Sequence, residues 1–120
     1  MKNITLVLGA STNPNRYSNI AIKRLVDRNL AVVAIGLRKG KVLEVVIDDE
    51  KQDYKTIDTV TLYLNSKRQE AYYSYIIALN PRRVIFNPGT ENMEFVKLLQ
   101  ENNIEAEIAC TLVLLSTNQY

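Results

Sequence analysis

The chain has no histidine. That removes the side chain most used as general base, proton shuttle and transition-metal ligand near neutral pH. Ser–His and Cys–His nucleophiles are excluded with it. A single cysteine, Cys110, rules out an internal disulfide and suits a reducing cytoplasm, the expected location. A zinc site would need that one thiol and scattered carboxylates, so no metal is expected. No apolar run approaches the roughly 20 residues of a membrane span. The start of the chain runs from Lys2 straight into strand pattern and a polar turn, unlike a signal peptide. Net charge is only +2, too small to attract nucleic acid or a membrane surface. These absences favour a binder over an enzyme.

What is present is an ordinary globular composition, 47% hydrophobic and 23% charged. A length of 120 residues fits one domain, 1–120, with one core. Ile4 to Leu8 is a continuous apolar run, as in a parallel strand buried on both faces. It breaks on Gly9-Ala10-Ser11 and leads into an amphipathic helix from Ser18, its expected N-cap, to about Asn29. Ala21, Ile22, Leu25 and Val26 share one face of that helix.

Ala31 to Ile35 is the next strand, ending at Gly36. Val42 to Ile47 has strand character but alternates poorly, and no helix fits residues 37–57. Thr59 to Leu64 is a third clear strand. Ser66 would cap a helix that runs to about Leu79 and stops at Asn80-Pro81. Arg83 to Phe86 is a fourth strand, Glu91 to Glu101 a helix capped by Thr90, and Ile104 to Ile108 a fifth strand. The tail 111–116 fits a short helix or a strand. Alternating strands and helices imply right-handed crossovers. The expected fold is α/β: a Rossmann-like, doubly wound, mainly parallel five-stranded sheet, with room for a sixth edge element and helices on both faces. Its core should hold Leu6, Val7, Leu8, Leu25, Val33, Ile35, Val60, Leu62, Val84, Ile85, Phe95, Leu98 and Ile108.

Ligands of such sheets bind outside the carboxyl ends of the strands. Three turns carry special residues there: Gly9-Ala10-Ser11, Gly36-Leu37-Arg38-Lys39 and Asn87-Pro88-Gly89-Thr90. Gly9 lets backbone approach a phosphate, and the next helix offers free N–H groups. Arg16 could reach a pyrophosphate there, and Ser11 could support the turn or donate to phosphate. A nicotinamide-dinucleotide site usually has an acidic residue after the second strand. Arg38 and Lys39 stand there instead, fitting an extra phosphate: the 2′-phosphate of NADP or the 3′-phosphate of CoA. Arg38 would bind it bidentately and Lys39 as a point charge. The plain alternative is a solvated basic turn. Asn87-Pro88-Gly89 is explained as a rigid turn, with or without a ligand role. Cys110 fits a small buried hydrophobe better than a reactive thiol. Tyr72, Tyr73 and Tyr75 give the second helix more apolar surface than one stripe requires. Core packing, cover by the tail or a homodimer contact would each account for that surplus.

The chain resembles the small bacterial CoA-binding domain proteins, relatives of the N-terminal domain of succinyl-CoA synthetase α subunits. The resemblance rests on Val7-Leu8-Gly9-Ala10-Ser11 with Asn13-Pro14 and Arg16-Tyr17-Ser18, and on Ala34-Ile35-Gly36 with Arg38-Lys39-Gly40. The strand Thr59 to Leu64 and Phe86-Asn87-Pro88-Gly89 complete it. It implies CoA or acyl-CoA as ligand, with Gly9, Ala10, Ser11 and Arg16 at the phosphates. It also implies Arg38 and Lys39 at the 3′-phospho-ADP portion, and Leu64 and Asn65 beside the adenine. The synthetase relies on a phosphorylated histidine in another domain, so ligase activity does not carry over. The leading expectation is non-catalytic binding of CoA or acyl-CoA as carrier, sensor or regulator. The alternatives are an NADP-binding oxidoreductase or redox sensor, and an interaction module that has lost its nucleotide.

Overall fold

A computed structural model describes residues 3–120. The chain runs β1 (Ile4–Ala10), α1 (Tyr17–Asp27), β2 (Ala31–Gly36), β3 (Gly40–Val42), β4 (Val45–Asp48) and β5 (Ile57–Leu62). It continues with α2 (Ser66–Gln69), a 3-10 turn (Glu70–Tyr72), α3 (Tyr73–Leu79), β6 (Arg83–Phe86), α4 (Met93–Glu101), β7 (Glu105–Ile108) and α5 (Thr111–Ser116). The strands form one sheet in the order β3-β4-β2-β1-β5-β6-β7. Every pairing is parallel except that of β3 with β4. This is a Rossmann-like α/β fold.

β1 is apolar on both faces because it sits mid-sheet and feeds two cores. Successive strand residues point to opposite faces. Leu6 and Leu8 join Ile35, Val60, Leu62, Ile76, Val84, Phe86 and Phe95 on one side. Val7 joins Ile22, Leu25, Ala34, Ile47 and Leu115 on the other. So α1 and α5 cover one face and α3 and α4 the other. The order reverses at β1, with β2 on one side and β5 on the other. The β1, β2 and β5 ends therefore converge where this fold opens a crevice.

The expected five-stranded sheet has seven strands. The two extra ones are the β3–β4 hairpin in the segment whose alternation looked poor. Val42, Val45 and Ile47 are buried while Val46 is exposed, so the alternation exists but spans only three and four residues. The two-residue connection is Leu43-Glu44, with Leu43 at φ 54°. An Asn-Gly there would have announced the turn; a leucine does not.

Helix starts also shift. Ser18 does not cap α1: the N-cap is Arg16, which offers no side-chain bond, and Ser18 is buried inside the helix. Asn65, not Ser66, caps α2 by accepting the Arg68 N–H (2.9 Å). Asn92, not Thr90, caps α4 by accepting the Phe95 N–H (3.2 Å). The expected helix from Ser66 to Leu79 is broken by the 3-10 turn just after the fully buried Gln69. It does end at Asn80, which is left-handed (φ 50°, ψ 55°).

The tail forms α5. Among the expected core residues, Val33 and Leu98 are half-buried and Ile108 is 55% exposed, because β7 is the sheet edge. The surplus tyrosines have partners within the chain. Tyr73 stacks on Phe95 (4.3 Å between centroids), Tyr75 hydrogen-bonds the Gln52 backbone, and the Lys51 ammonium lies 5.2 Å from the Tyr72 ring. Among the described residues, no helix is long and apolar enough to cross a membrane.

Candidate functional site

Two close approaches shape the carboxyl ends of the central strands. Gly9 has φ +99°, and a Cβ there would lie 2.8 Å from the Tyr63 carbonyl carbon. Only glycine holds that backbone against the β5 end. Gly36 is tighter still: a Cβ would sit 2.2 Å from the Ala10 carbonyl oxygen. Its role is to let β2 close on β1 where the register shifts between Leu8 and Ala10.

Beyond these ends opens a cleft of about 790 Å³, within the range of small-molecule sites. The β1–α1 connection supplies Gly9, Ala10, Ser11, Arg16 and Ser18, as expected, and also Thr12, Asn13 and Tyr17. The β2 end supplies Arg38 together with Leu37. The β5 end supplies Leu64 and Asn65, with Tyr63 and Arg68 in addition. The β6 end supplies Pro88 and Gly89, and Thr90 beside them.

Three expected site residues do not line the cleft. Gly36 is buried against Ala10. Lys39 is exposed but outside the lining. Asn87 has its amide committed inside the fold. Its Nδ2 donates to Thr61 Oγ1 (2.7 Å) and the Leu62 carbonyl (2.9 Å), and its Oδ1 accepts the Thr111 N–H (2.8 Å). Asn87 thus ties β6 to β5 and to the start of α5.

The floor loop is built by its own side chains. Ser11 Oγ accepts the Asn13 N–H (3.1 Å), and Asn13 Oδ1 accepts the Asn15 N–H (2.9 Å). Buried Asn19 donates from Nδ2 to the Ser11 carbonyl (2.9 Å). This presents the α1 N-terminus to the cleft without a capping side chain and without an acidic residue in the first turn. The first N–H groups of a helix have no intrahelical acceptor, and the helix dipole favours an anion there.

Charge in the cleft has one sign. Arg16, Arg38 and Arg68 line it, and no Asp or Glu does. None of the three guanidinium groups has an ion-pair partner among the described residues. Glu91 lies next in sequence but accepts the Gly89 N–H (2.9 Å) and is not part of the lining. Tyr63 brings a neutral phenol. Burial pushes it up to about 12, outweighing the pull of the Thr111 and Thr61 hydroxyls. Among the described residues, no three His, Cys, Asp or Glu side chains are placed to hold a metal ion. The chemistry on offer is multipoint binding of an anion beside a modest apolar surface from Leu37, Leu64 and Pro88.

Arg68 escaped the sequence reading because it follows Lys67, a second exposed cation, and residue type alone does not choose between them. The fold makes the choice: Arg68 lines the cleft at the β5 end and Lys67 does not.

Comparison with other proteins bears on the fold and the family. A crystal structure of an uncharacterized protein is 45% identical, covering 100% of this chain and 99% of that one, with a TM-score of 0.96. A hypothetical protein from Pyrococcus horikoshii OT3 is 28% identical, covering 93% of this chain and 80% of that one, with a TM-score of 0.80. The Thermus thermophilus protein cell-free ID.343 shares the fold at 19% identity, covering 99% and 91% of the two chains, with a TM-score of 0.86. No curated protein gives a match. Residues 3–116 match the family described as CoA binding domain, and the chain belongs to that family.

Proposed function

We propose that the chain binds CoA or an acyl-CoA, without catalysis, through its 3′-phospho-ADP and pyrophosphate portion. Its role would be that of a carrier, sensor or regulator. The observation that carries this reading is the cleft at the β1, β2 and β5 ends, lined by no carboxylate and by three arginines that have no ion-pair partner among the described residues. Arg38 follows β2, where the ribose of a bound nucleotide is held in this fold. A guanidinium there suits a ribose phosphate. The uncapped α1 N-terminus and Arg16 suit the pyrophosphate. The non-catalytic part rests on the absence of histidine and on Tyr63, a neutral phenol without a basic partner. A second reading, NADP binding, is supported by the same Arg38, since a 2′-phosphate would meet the same group.

Calorimetric titration with CoA, dephospho-CoA, NADP and NAD tests this. CoA should bind, and more tightly than dephospho-CoA. Tighter binding of NADP would move the protein to the second reading. No binding of any of the four would refute both and leave an interaction module. Sedimentation with and without CoA then tests for a sensor, because coupled equilibria must shift together. It also tests a homodimer through the surface of Tyr72 in the 3-10 turn and Tyr73 and Tyr75 in α3.

A further inference from the structure

Arg68 and Arg38 approach the cleft from opposite sides of β1. Arg38 follows β2 and Arg68 follows β5, and these strands are the two direct neighbours of β1. Neighbouring strands lie about 4.8 Å apart, so the two strand ends that these residues follow are roughly 10 Å apart. The Gly9 turn and the α1 N-terminus lie between them. One phosphate at the β2 end leaves the other side of the cleft with a cation and no anion. Arg68 has no ion-pair partner among the described residues, and its helix start is fixed by the Asn65 cap. Its neighbour Lys67 has the same charge but does not line the cleft.

Resting on the CoA reading above, we propose that Arg68 is the pyrophosphate-reading arginine of the site. It shares the cleft with Arg16, which precedes α1, while Arg38 reads the 3′-phosphate. A pyrophosphate between two guanidinium groups gains hydrogen bonds from both sides, and arginine forms such bonds bidentately. The specificity then divides in two. The β5 side demands a diphosphate and is indifferent to the ribose phosphate. The β2 side demands the ribose phosphate.

The test is titration of wild type, Arg68→Ala, Arg38→Ala and Lys67→Ala with CoA, dephospho-CoA and NADP. Far-ultraviolet circular dichroism and melting confirm that each variant is folded; all three sites are exposed. Arg68→Ala should weaken CoA and dephospho-CoA alike, by about tenfold or more, the worth of one hydrogen bond to a charged group. Arg38→Ala should weaken CoA by that factor and dephospho-CoA far less. Lys67→Ala should change either by less than about twofold, as expected of a screened surface charge. Equal effects of Arg68→Ala and Lys67→Ala would overturn the proposal, since only bulk charge would be at work. A loss confined to CoA would also overturn it, because Arg68 would then read the 3′-phosphate. If wild type binds NADP but not CoA, the CoA reading falls. An Arg68→Ala loss on NADP would still uphold the diphosphate role, and its absence would end it. If wild type binds none of the three, both fall.

Discussion

Gln69 should be the side chain whose loss damages the cleft wall most. It is fully buried. Its Nε2 donates to the Leu64 carbonyl (2.9 Å) and to the Thr90 carbonyl (2.8 Å). Its Oε1 accepts from Asn92 Nδ2 (3.0 Å), and Asn92 also caps α4. One amide thus holds the β5–α2 turn to the β6–α4 turn, and both turns line the cleft. Gln69→Ala strands two buried carbonyls, while Asn92 keeps its bond to the Tyr73 hydroxyl (2.8 Å). An orphaned buried group costs about 1–3 kcal/mol. Water entering from the cleft should relieve part of this, leaving about 2–4 kcal/mol in all. For a domain of this size that lowers the melting temperature by roughly 10 °C. Gln69→Glu is the sharper probe. Its carboxylate would face two carbonyl oxygens, so its folded-state pKa must rise above the ordinary value of about 4.3. A raised folded pKa favours the native state at low pH and loses that advantage as pH rises. A protonated carboxyl has one donor and can serve one of the two carbonyls, so the deficit of Gln69→Glu against wild type should be least below pH ~4 and grow towards neutrality. Urea unfolding of both variants across pH reads this directly. A Gln69→Ala cost under about 0.5 kcal/mol, the range of a surface change, would refute the clasp. So would a Gln69→Glu deficit that does not vary with pH.

The fold was legible where the physics is local and repeated. β2, Val84–Phe86 of β6, and β1 apart from Thr5 are read from apolar runs, as expected of parallel strands buried on both faces. The hairpin was hidden because its turn rests on Leu43 at positive φ, a conformation that the residue type does not advertise. The caps slipped by one or two residues because Ser, Thr and Asn all qualify chemically, and only tertiary contacts choose among them. Thr90 is a good cap by type. Its hydroxyl instead donates to the Asn87 carbonyl (2.7 Å), and Asn92 takes the cap. The turns at strand ends were legible as a set because topology alone brings them together. The division of labour within them was not. Gly36 and Asn87 carry the residue types of a ligand turn, yet one closes two strands and the other is an internal tie.

Three further outcomes separate these roles. The Asp58 carboxyl is raised by burial, but the hydrogen bonds from Arg82 (3.0 Å) and from Thr59 outweigh this and hold it below the usual range. A lowered folded pKa contributes stability above the unfolded value of about 3.9 and loses it as pH falls through the folded one. Asp58→Asn should flatten that acid limb in denaturant titrations. At pH 7 it should cost less than about 1 kcal/mol, because the Arg82 side chain is 55% exposed. Tyr63→Phe removes a buried hydroxyl that lies by the Thr61 and Thr111 hydroxyls without a well-formed hydrogen bond among the described residues. It should leave melting within about 0.5 kcal/mol of wild type or raise it slightly. A fall of several degrees would mean that the hydroxyl is tied to Thr61 or Thr111. Gly36→Ala places a methyl 2.2 Å from the Ala10 carbonyl oxygen, which is backbone and cannot rotate away. β1 and β2 must then part, and overpacking of this kind costs about 1–3 kcal/mol or more. If Gly36 serves only strand closure, CoA affinity per folded molecule should change little while the urea midpoint drops. Lost affinity with unchanged stability would return Gly36 to the ligand site, because a residue that merely lets two strands meet cannot alter binding without first altering the sheet.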